Sequence, residues 1–256
     1  MITFRNVSKS FGPNPVLQGF SLEVKDGETL VIIGYSGTGK SVLLKHIVGL
    51  LEPDAGEVDV DGRIVHLLDR AGLAALRTTI GFVFQFAALL DSMTVRDNIL
   101  LGLKRRGLSL TEMNDRVAES LELVDLRGAE ERFPAELSGG MRKRVGIARA
   151  IAFRPRYILF DEPTTGLDPV TSASIDRLMV RARERHGVTS IVVTHDMKSA
   201  YTVGDRIAML YKGTIRQVGT VDEIQRSHDP IVRQFIEGRP EAAAEVDRMN
   251  EARYQP

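Results

Sequence analysis

Apolar and polar positions divide the chain into short strands and longer helical stretches. Ile2–Val7 and Phe20–Val24 read as strands, the second with apolar/polar alternation, and Leu30–Ile33 is an unbroken apolar run typical of a buried strand. Gly12-Pro13-Asn14-Pro15 reads as a loop and Asp26-Gly27 as a turn. After a glycine-rich loop the period changes to a helical one, from Lys40 to about Leu50. Glu57–Val60 and Arg63–Val65 flank Asp61-Gly62 as a hairpin, and Ile80–Phe84 is a further buried strand. From Thr94 to about Phe153 apolar residues recur at three- and four-residue spacing, as in Val117, Leu121 and Val124, then Val145, Ala148 and Ile151. Strands return at Tyr157–Phe160, Ser190–Val193 and Ile207–Tyr211, separated by helices near Ser172–Glu184 and Met197–Val203. Lys212-Gly213 then turns the chain into Ile215–Val218.

Strands alternating with helices predict an α/β fold, a mostly parallel sheet with helices on its faces and a small antiparallel β component. The helical block between about 86 and 155 breaks that rhythm and reads as an inserted helical subdomain. The tail after Gly238 is rich in Ala, Glu and Arg and is expected to be loosely held unless a partner grips it. No internal repeat is visible.

Composition narrows the function classes. Of 256 residues, 43% are hydrophobic and 27% charged, with Lys+Arg and Asp+Glu both at 34. A dedicated nucleic-acid binder carries a basic excess, and none is present. There are no cysteines, hence no disulfide and no thiolate metal site, which fits a cytosolic protein. The N-terminus lacks the charged and apolar regions of a signal peptide. No run approaches the length of a membrane span, so any membrane function requires partners that supply the spans.

Gly34-Tyr35-Ser36-Gly37-Thr38-Gly39-Lys40-Ser41 fits G-x-x-x-x-G-K-[ST] between a predicted strand and a predicted helix. Glycines let the backbone N–H groups form an anion nest, and the helix start adds its positive end. Lys40 is placed for the β- and γ-phosphates and the Ser41 hydroxyl for Mg2+. A chance match arises in roughly one random chain of this length in a hundred, before the strand and helix context is counted. Tyr157–Phe160 is an apolar strand that ends in Asp161-Glu162, the place where ligands bind parallel sheets. Asp161 is the candidate Mg2+ ligand and Glu162 the candidate base for an attacking water. Leu137-Ser138-Gly139-Gly140-Met141 opens an amphipathic helix and forms a second anion site in the same chain. A head-to-tail dimer gives that second site a use, since each chain's Ser138 to Gly140 can close on its partner's ATP.

In these residues the chain resembles the ATP-binding cassette family, from Met1 to about Gly238, with residues 239–256 left as a C-terminal tail. The resemblance implies a P-loop NTPase fold that binds ATP with Mg2+ and hydrolyses it. Gly34, Tyr35, Ser36, Gly37, Thr38, Gly39, Lys40, Ser41 and Val42 are similar to its Walker A run, and Gln85 to the Q-loop glutamine. Asp161 and Glu162 look like Walker B with the catalytic glutamate, Gly166-Leu167-Asp168 like the D-loop, and His195 like the switch histidine. Phe11 matches the aromatic that stacks on adenine. By this resemblance Glu162, His195, Lys40 and Gln85 serve catalysis, and Ser41, Gln85 and Asp161 hold the metal. Ser138, Gly139, Gly140 and Asp168 reach the nucleotide across a dimer. On residue context alone, a Gln at a strand end or a His after a strand is more often structural. His46, His66, His186 and His228 carry no motif context, and Lys104-Arg105-Arg106 and Arg142-Lys143-Arg144 read as solvated faces.

A single cassette without a membrane span implies separate permease subunits, with the chain held peripherally at the cytoplasmic face of an inner membrane. Met141 in the signature, the segment Phe84-Gln85-Phe86-Ala87-Ala88-Leu89-Leu90-Asp91-Ser92-Met93-Thr94 and the stretch Asp229–Gly238 resemble the ATPase of Mla-type systems. Those move phospholipids between bacterial membranes, maintaining outer-membrane lipid asymmetry, with an MCE-domain protein and a small regulatory subunit as partners. An importer of small solutes, a nucleic-acid-associated member of the family, and a phosphotransferase with an acceptor other than water stay open as alternatives.

Overall fold

The computed structural model describes residues 1–104 and 107–239. The first third holds β1 (Ile2–Phe11), β2 (Asn14–Val24), β3 (Thr29–Ile33), α1 (Lys40–Ile47), β4 (Ala55–Val60), β5 (Arg63–Ile64) and α2 (Arg70–Arg77). There follow β6 (Ile80–Val83), α3 (Val95–Leu103), α4 (Leu110–Leu123), α5 (Gly139–Ala152), β7 (Tyr157–Asp161), α6 (Pro169–His186) and β8 (Thr189–Thr194). The last described stretch carries α7 (Met197–Val203), β9 (Arg206–Tyr211), β10 (Thr214–Thr220), α8 (Val221–Gln225) and α9 (Pro230–Ile236). The chain forms two compact units, one of Met1–Leu73 with the chain from Val193 onward, the other of Ala74–Val192.

In the first unit β2, β1, β4 and β5 make an antiparallel sheet in that order. Phe4 and Phe20 meet edge to face on it, with ring centroids 5.2 Å apart. Every residue of β3 is buried, as its unbroken apolar run requires, and β3 runs parallel to β9, which pairs antiparallel with β10. Strands β1 and β2 reach closer to one another than the sequence indicates, leaving only Gly12-Pro13 as their turn. Helix α1 stops at Ile47 because Gly49, at φ 62°, has left the helical region.

In the second unit β6 and β7 are parallel, and β8 lies beside β7. Helix α5 crosses this layer with Val145, Ile147, Ala148, Ala150 and Ile151 buried. Helix α4 begins with a capping box in which Ser109 and Glu112 exchange hydrogen bonds.

Three short helices were not expected from the sequence. Helix α2 carries the apolar run Ala71–Leu76, but it is only eight residues long and buries Leu76 alone. Helix α9 carries a legible signal, Asp229 as N-cap followed by Pro230 in the first turn. Helix α8 is likewise opened by a capping box of Thr220 and Glu223. Among the described residues no helix is long and apolar enough to cross a membrane. Residues 240–256 of the expected tail, and Arg105-Arg106 of the basic run after Leu103, lie outside the described residues.

The other basic run departs from its sequence reading as a solvated face. Arg142 is exposed, but Lys143 is buried and Arg144 half-buried, donating to the Val124 carbonyl (3.2 Å) and to Ser174 Oγ (2.7 Å). Lys143 stands four residues before Ile147 and seven before Ala150, so the helical repeat turns it to the packed side of α5.

Candidate functional site

The glycine-rich run joins the end of β3 to α1 in the first unit. Ile33 pairs in parallel register with Met209 of β9, so Gly34 emerges beside Leu210. A Cβ on Gly34 would stand 2.5 Å from the Leu210 carbonyl oxygen, which bars any side chain there. Gly39 has φ 100°, and a Cβ on it would stand 2.5 Å from Val16 Cγ1. Between the two glycines Thr38 Oγ1 donates to the Tyr35 carbonyl at 2.8 Å, closing the turn. Lys40, only 6% exposed, donates its ammonium to the carbonyls of Gly34 (2.8 Å) and Tyr35 (3.0 Å). The cation is thus folded back over the loop it follows. Ser36 and Gly37 are exposed, and Ser41 and Val42 sit half-buried in the first turn of α1. A helix N-terminus, a tight backbone nest and a buried cation form a receptor for a chain of phosphate oxygens.

The rest of the first unit's candidates are simpler. Tyr35 packs its ring edge to face with Phe235 of α9, at 4.9 Å, and stands 6.5 Å from Tyr211. Phe11 is exposed at the end of β1 with the Lys9 ammonium 5.8 Å from its ring centre. His195 is exposed directly after β8, where Asp196 caps α7 and donates its own N–H to Thr194 Oγ1 at 3.0 Å.

In the second unit the parallel register of β6 and β7 sets Val83 opposite Phe160. The chain therefore leaves both strands at the same, carboxyl end, through Phe84-Gln85 from β6 and Asp161-Glu162 from β7. Gln85 and Asp161 are half-buried, and Glu162 is buried. Glu162 has φ 50°, a left-handed conformation that costs an L-residue about 1–2 kcal/mol. Neighbours hold it there. Thr165 donates its hydroxyl to Glu162 Oε2 (3.0 Å) and its N–H to the Glu162 carbonyl (3.3 Å). Lys143 in turn donates to the Thr165 carbonyl at 2.6 Å. Burial lowers the pKa of the Lys143 ammonium, and the charge of Glu162 works against that shift.

The turn after Gln85 is held in the same manner. Ala87 and Ala88 are both left-handed, at φ 59° and 48°. The Arg149 guanidinium bridges them, donating to the carbonyl of Ala87 at 2.6 Å and of Ala88 at 2.7 Å. Burial lowers the pKa of that guanidinium. Phe86, at the head of the turn, is 85% exposed.

Ser138 is the N-cap of α5, its hydroxyl accepting from the Met141 N–H at 3.2 Å. Ser138 and Gly139 are exposed, and Gly140 packs so closely on α6 that a Cβ would come 2.6 Å from Thr171 Cγ2. Asp168 caps α6, accepting from the N–H groups of Val170 and Thr171 at 3.0 Å each. Bonds from Thr171, led by its hydroxyl, hold the Asp168 carboxyl below the usual carboxylate range. The structure thus gathers Gln85, Asp161 and Glu162 at the carboxyl end of β6 and β7 and leaves the Ser138 helix start open to solvent. Lys143, Thr165 and Arg149 hold the turns at this end, and the sequence reading did not single them out. Only the helical phase of Lys143 could have drawn attention to it.

The sequence profile of the family described as ABC transporter matches residues 17–165. The chain is 40% identical over 239 residues to the "Probable ribonucleotide transport ATP-binding protein mkl" of Mycobacterium leprae, covering 93% of this chain and 69% of that protein. It is 45% identical over 226 residues to the methionine import ATP-binding protein MetN of Caulobacter vibrioides, covering 88% and 68%. Among solved structures, the dimeric post-hydrolysis state of the ATP-binding cassette MJ0796 bound to ADP and Pi is 36% identical, with a TM-score of 0.79 over 86% of this chain and 99% of that one.

Proposed function

The chain belongs to the ABC transporter family, and on that footing we propose that it powers phospholipid transport between bacterial membranes as the ATPase of a multi-subunit system. As a member of the family it is an α/β P-loop cassette that takes ATP with Mg2+ and hydrolyses it. The proposal concerns its residues, its assembly and its cargo.

The residues fit the nucleotide. The nest from Gly34 to Gly39 and the buried Lys40 suit a triphosphate, and a hydroxyl, a carboxylate and an amide oxygen are hard donors of the kind Mg2+ takes. Ser41, Asp161 and Gln85 would hold that ion, which neutralises charge on the transferring phosphoryl group. Lys40 exchanges its loop carbonyls for phosphate oxygens. Glu162, fixed in its left-handed turn, orients and deprotonates the attacking water. His195 meets the γ-phosphate and Phe11 stacks on the base.

One observation carries the dimeric reading: the N-terminus of α5, with Ser138 and Gly139 exposed, is a second anion site on a chain that already has one. In a homodimer each such site completes the partner's nucleotide pocket, with Asp168 spanning the interface, and the solved cassette dimer with ADP and Pi is a precedent in a relative. The test mixes two dead variants. Lys40→Ala lacks nucleotide affinity and Ser138→Arg lacks a usable signature, but their heterodimer retains one intact composite site. Recovery of about a quarter of wild-type ATPase activity on equimolar mixing is expected if pairing is random and sites act independently. No recovery and no ATP-induced pairing would sink the sandwich.

The lipid cargo rests on the resemblance of Met141, of Phe84–Thr94 and of Asp229–Gly238 to Mla-type ATPases. Exposed Phe86 beside Gln85 offers a surface for a permease at the cytoplasmic face of the membrane. Recovery of a permease with an MCE-domain protein from solubilised membranes would support this cargo. A second reading, import of a small solute, is favoured by the similarity to MetN and would be met by a permease with a solute-binding protein instead.

A further inference from the structure

We infer that Lys143 is a positioning residue for ATP hydrolysis, holding the turn that carries Glu162 and thereby linking the signature helix to the catalytic carboxylate. The inference rests on Glu162 being the general base, and it concerns residues of a single compact unit.

Glu162 occupies a backbone conformation that a residue with a Cβ disfavours, and such strain persists only where neighbours enforce it. Thr165 is the first of these neighbours, through its hydroxyl on the carboxylate and its N–H on the Glu162 carbonyl. A threonine in a loop cannot hold a carboxylate unless it is itself fixed. Its carbonyl accepts a 2.6 Å bond from the Lys143 ammonium, and Lys143 is only 9% exposed. Burying an ammonium is costly unless it is bonded and faces negative charge. Here the bond is to Thr165 and the facing charge is Glu162. The arrangement is asymmetric in a useful way. A methionine would fill the same space without the charge, so packing alone does not account for a buried ammonium here.

Lys143 also stands in the second turn of α5, whose first turn starts at Ser138. In the sandwich, nucleotide bound by the partner chain would press on that first turn. The same rigid helix carries Lys143 to the Thr165 carbonyl, so a shift at the helix start reaches the turn of Glu162 without passing through a flexible loop.

The experiment uses the full chain in four variants, Lys143→Met, Lys143→Gln, Glu162→Gln and the double variant Glu162→Gln with Lys143→Met. Steady-state ATPase kinetics and direct binding of a fluorescent ATP analogue are read on each. For Lys143→Met the expected kcat falls about 10- to 100-fold, the order that a misplacement of about 1 Å produces, while KM and the binding constant stay within about 3-fold. Lys143→Gln, which keeps an N–H donor for the Thr165 carbonyl, should recover most of that loss. Adding Lys143→Met to Glu162→Gln should lower the residual rate no further, since the group being positioned is already gone. Wild-type kcat in Lys143→Met would overturn the inference, as would an equal loss in the Glu162→Gln background. If Lys143→Met fails to fold, Lys143→Gln decides: no rescue with a folded circular dichroism spectrum also overturns it. Full turnover in Glu162→Gln alone would refute the assignment of the base, a separate failure from that of Lys143.

Discussion

Replacing Arg149 by Met removes the two bonds that tie the turn after Gln85 to α5. Hydrogen bonds from a charged donor contribute about 1.5–3 kcal/mol each, so the gross loss is about 3–6 kcal/mol. Part of this returns. Ala87 and Ala88 are held left-handed at about 1–2 kcal/mol each, and a freed turn can relax by about 2–4 kcal/mol. Methionine keeps the aliphatic packing of the arginine stem and no longer requires burial of a cation. The net cost is then about 1–2 kcal/mol, a fall of roughly 2–8 °C in Tm at about 2–4 °C per kcal/mol for a chain of this size. The small global effect should coexist with a large local one. Hydrogen exchange over residues 86–90 should speed up at least about 10-fold while α5 itself stays protected, because the turn opens without the helix unfolding. Turnover should fall with Gln85 misplaced, and Arg149→Lys should be intermediate because an ammonium lacks the fork that spans two carbonyls. Unchanged exchange in the turn, or a loss of Tm beyond about 15 °C, would refute this division between bond loss and strain relief.

Further outcomes follow from the glycine loop and the C-terminal helix. Gly39→Ala should combine left-handed strain of about 1–2 kcal/mol with overpacking against Val16 of about 1–3 kcal/mol, lowering both Tm and nucleotide affinity. Adding Val16→Ala should return only the overpacking share, and complete rescue in thermal unfolding would show that φ is not the constraint. Asp229 caps α9, and its carboxyl is held below the ordinary range first by the Arg216 bond. A depressed folded-state pKa gives stability that is present above the unfolded value of about 3.9 and is lost as pH falls through the folded value. The near-ultraviolet circular dichroism of Tyr35, packed on Phe235, should therefore be flat from about pH 5 to 7 and weaken below about pH 4. Asp229→Asn should flatten that acid limb, and an identical limb in this variant would assign it to other carboxylates.

How much of this was legible in the sequence depends on the range of the interaction concerned. Buried strands such as Leu30–Ile33 and Tyr157–Phe160 are runs of apolar residues, and a parallel sheet buried on both faces demands such runs. The P-loop was legible because its chemistry is local: glycine spacing, a lysine and a helix start occupy consecutive positions. Helix α2 was not, because it spans only eight residues and buries a single side chain, Leu76, so its run Ala71–Leu76 is too short to show a helical period. The roles of Lys143 and Arg149 were hidden for a different reason. Each bonds a carbonyl far along the chain, and which carbonyl it meets is fixed by the packing of α5 and not by neighbouring residues. A basic triplet that begins in solvent reads as a solvated face unless the helical phase is followed residue by residue.

That phase explains why one helix can serve two turns. Lys143 and Arg149 are six residues apart, about 9 Å along the axis of α5. Parallel pairing of β6 with β7 brings the turn after Gln85 and the turn of Glu162 to the same end of these strands. Both turns contain left-handed residues other than glycine, and both are tied through main-chain carbonyls by a cation from this helix. Glycine at 87, 88 or 162 would relieve the strain and also remove the reason for the clamps. At Glu162 glycine would remove the carboxylate proposed to act on the attacking water, so with glutamate the strain must be opposed from outside the turn. At Ala87 and Ala88 no such chemical need exists, and alanine instead restricts the unfolded turn more than glycine would. Helix α5 therefore sets the position of the Glu162 carboxylate and of Gln85 from a single rigid element, whose own first turn is exposed at Ser138. A change at that first turn and a change at either carbonyl clamp act on the same body, which is why the Lys143 and Arg149 variants should shift turnover while leaving the P-loop of the other unit able to bind nucleotide.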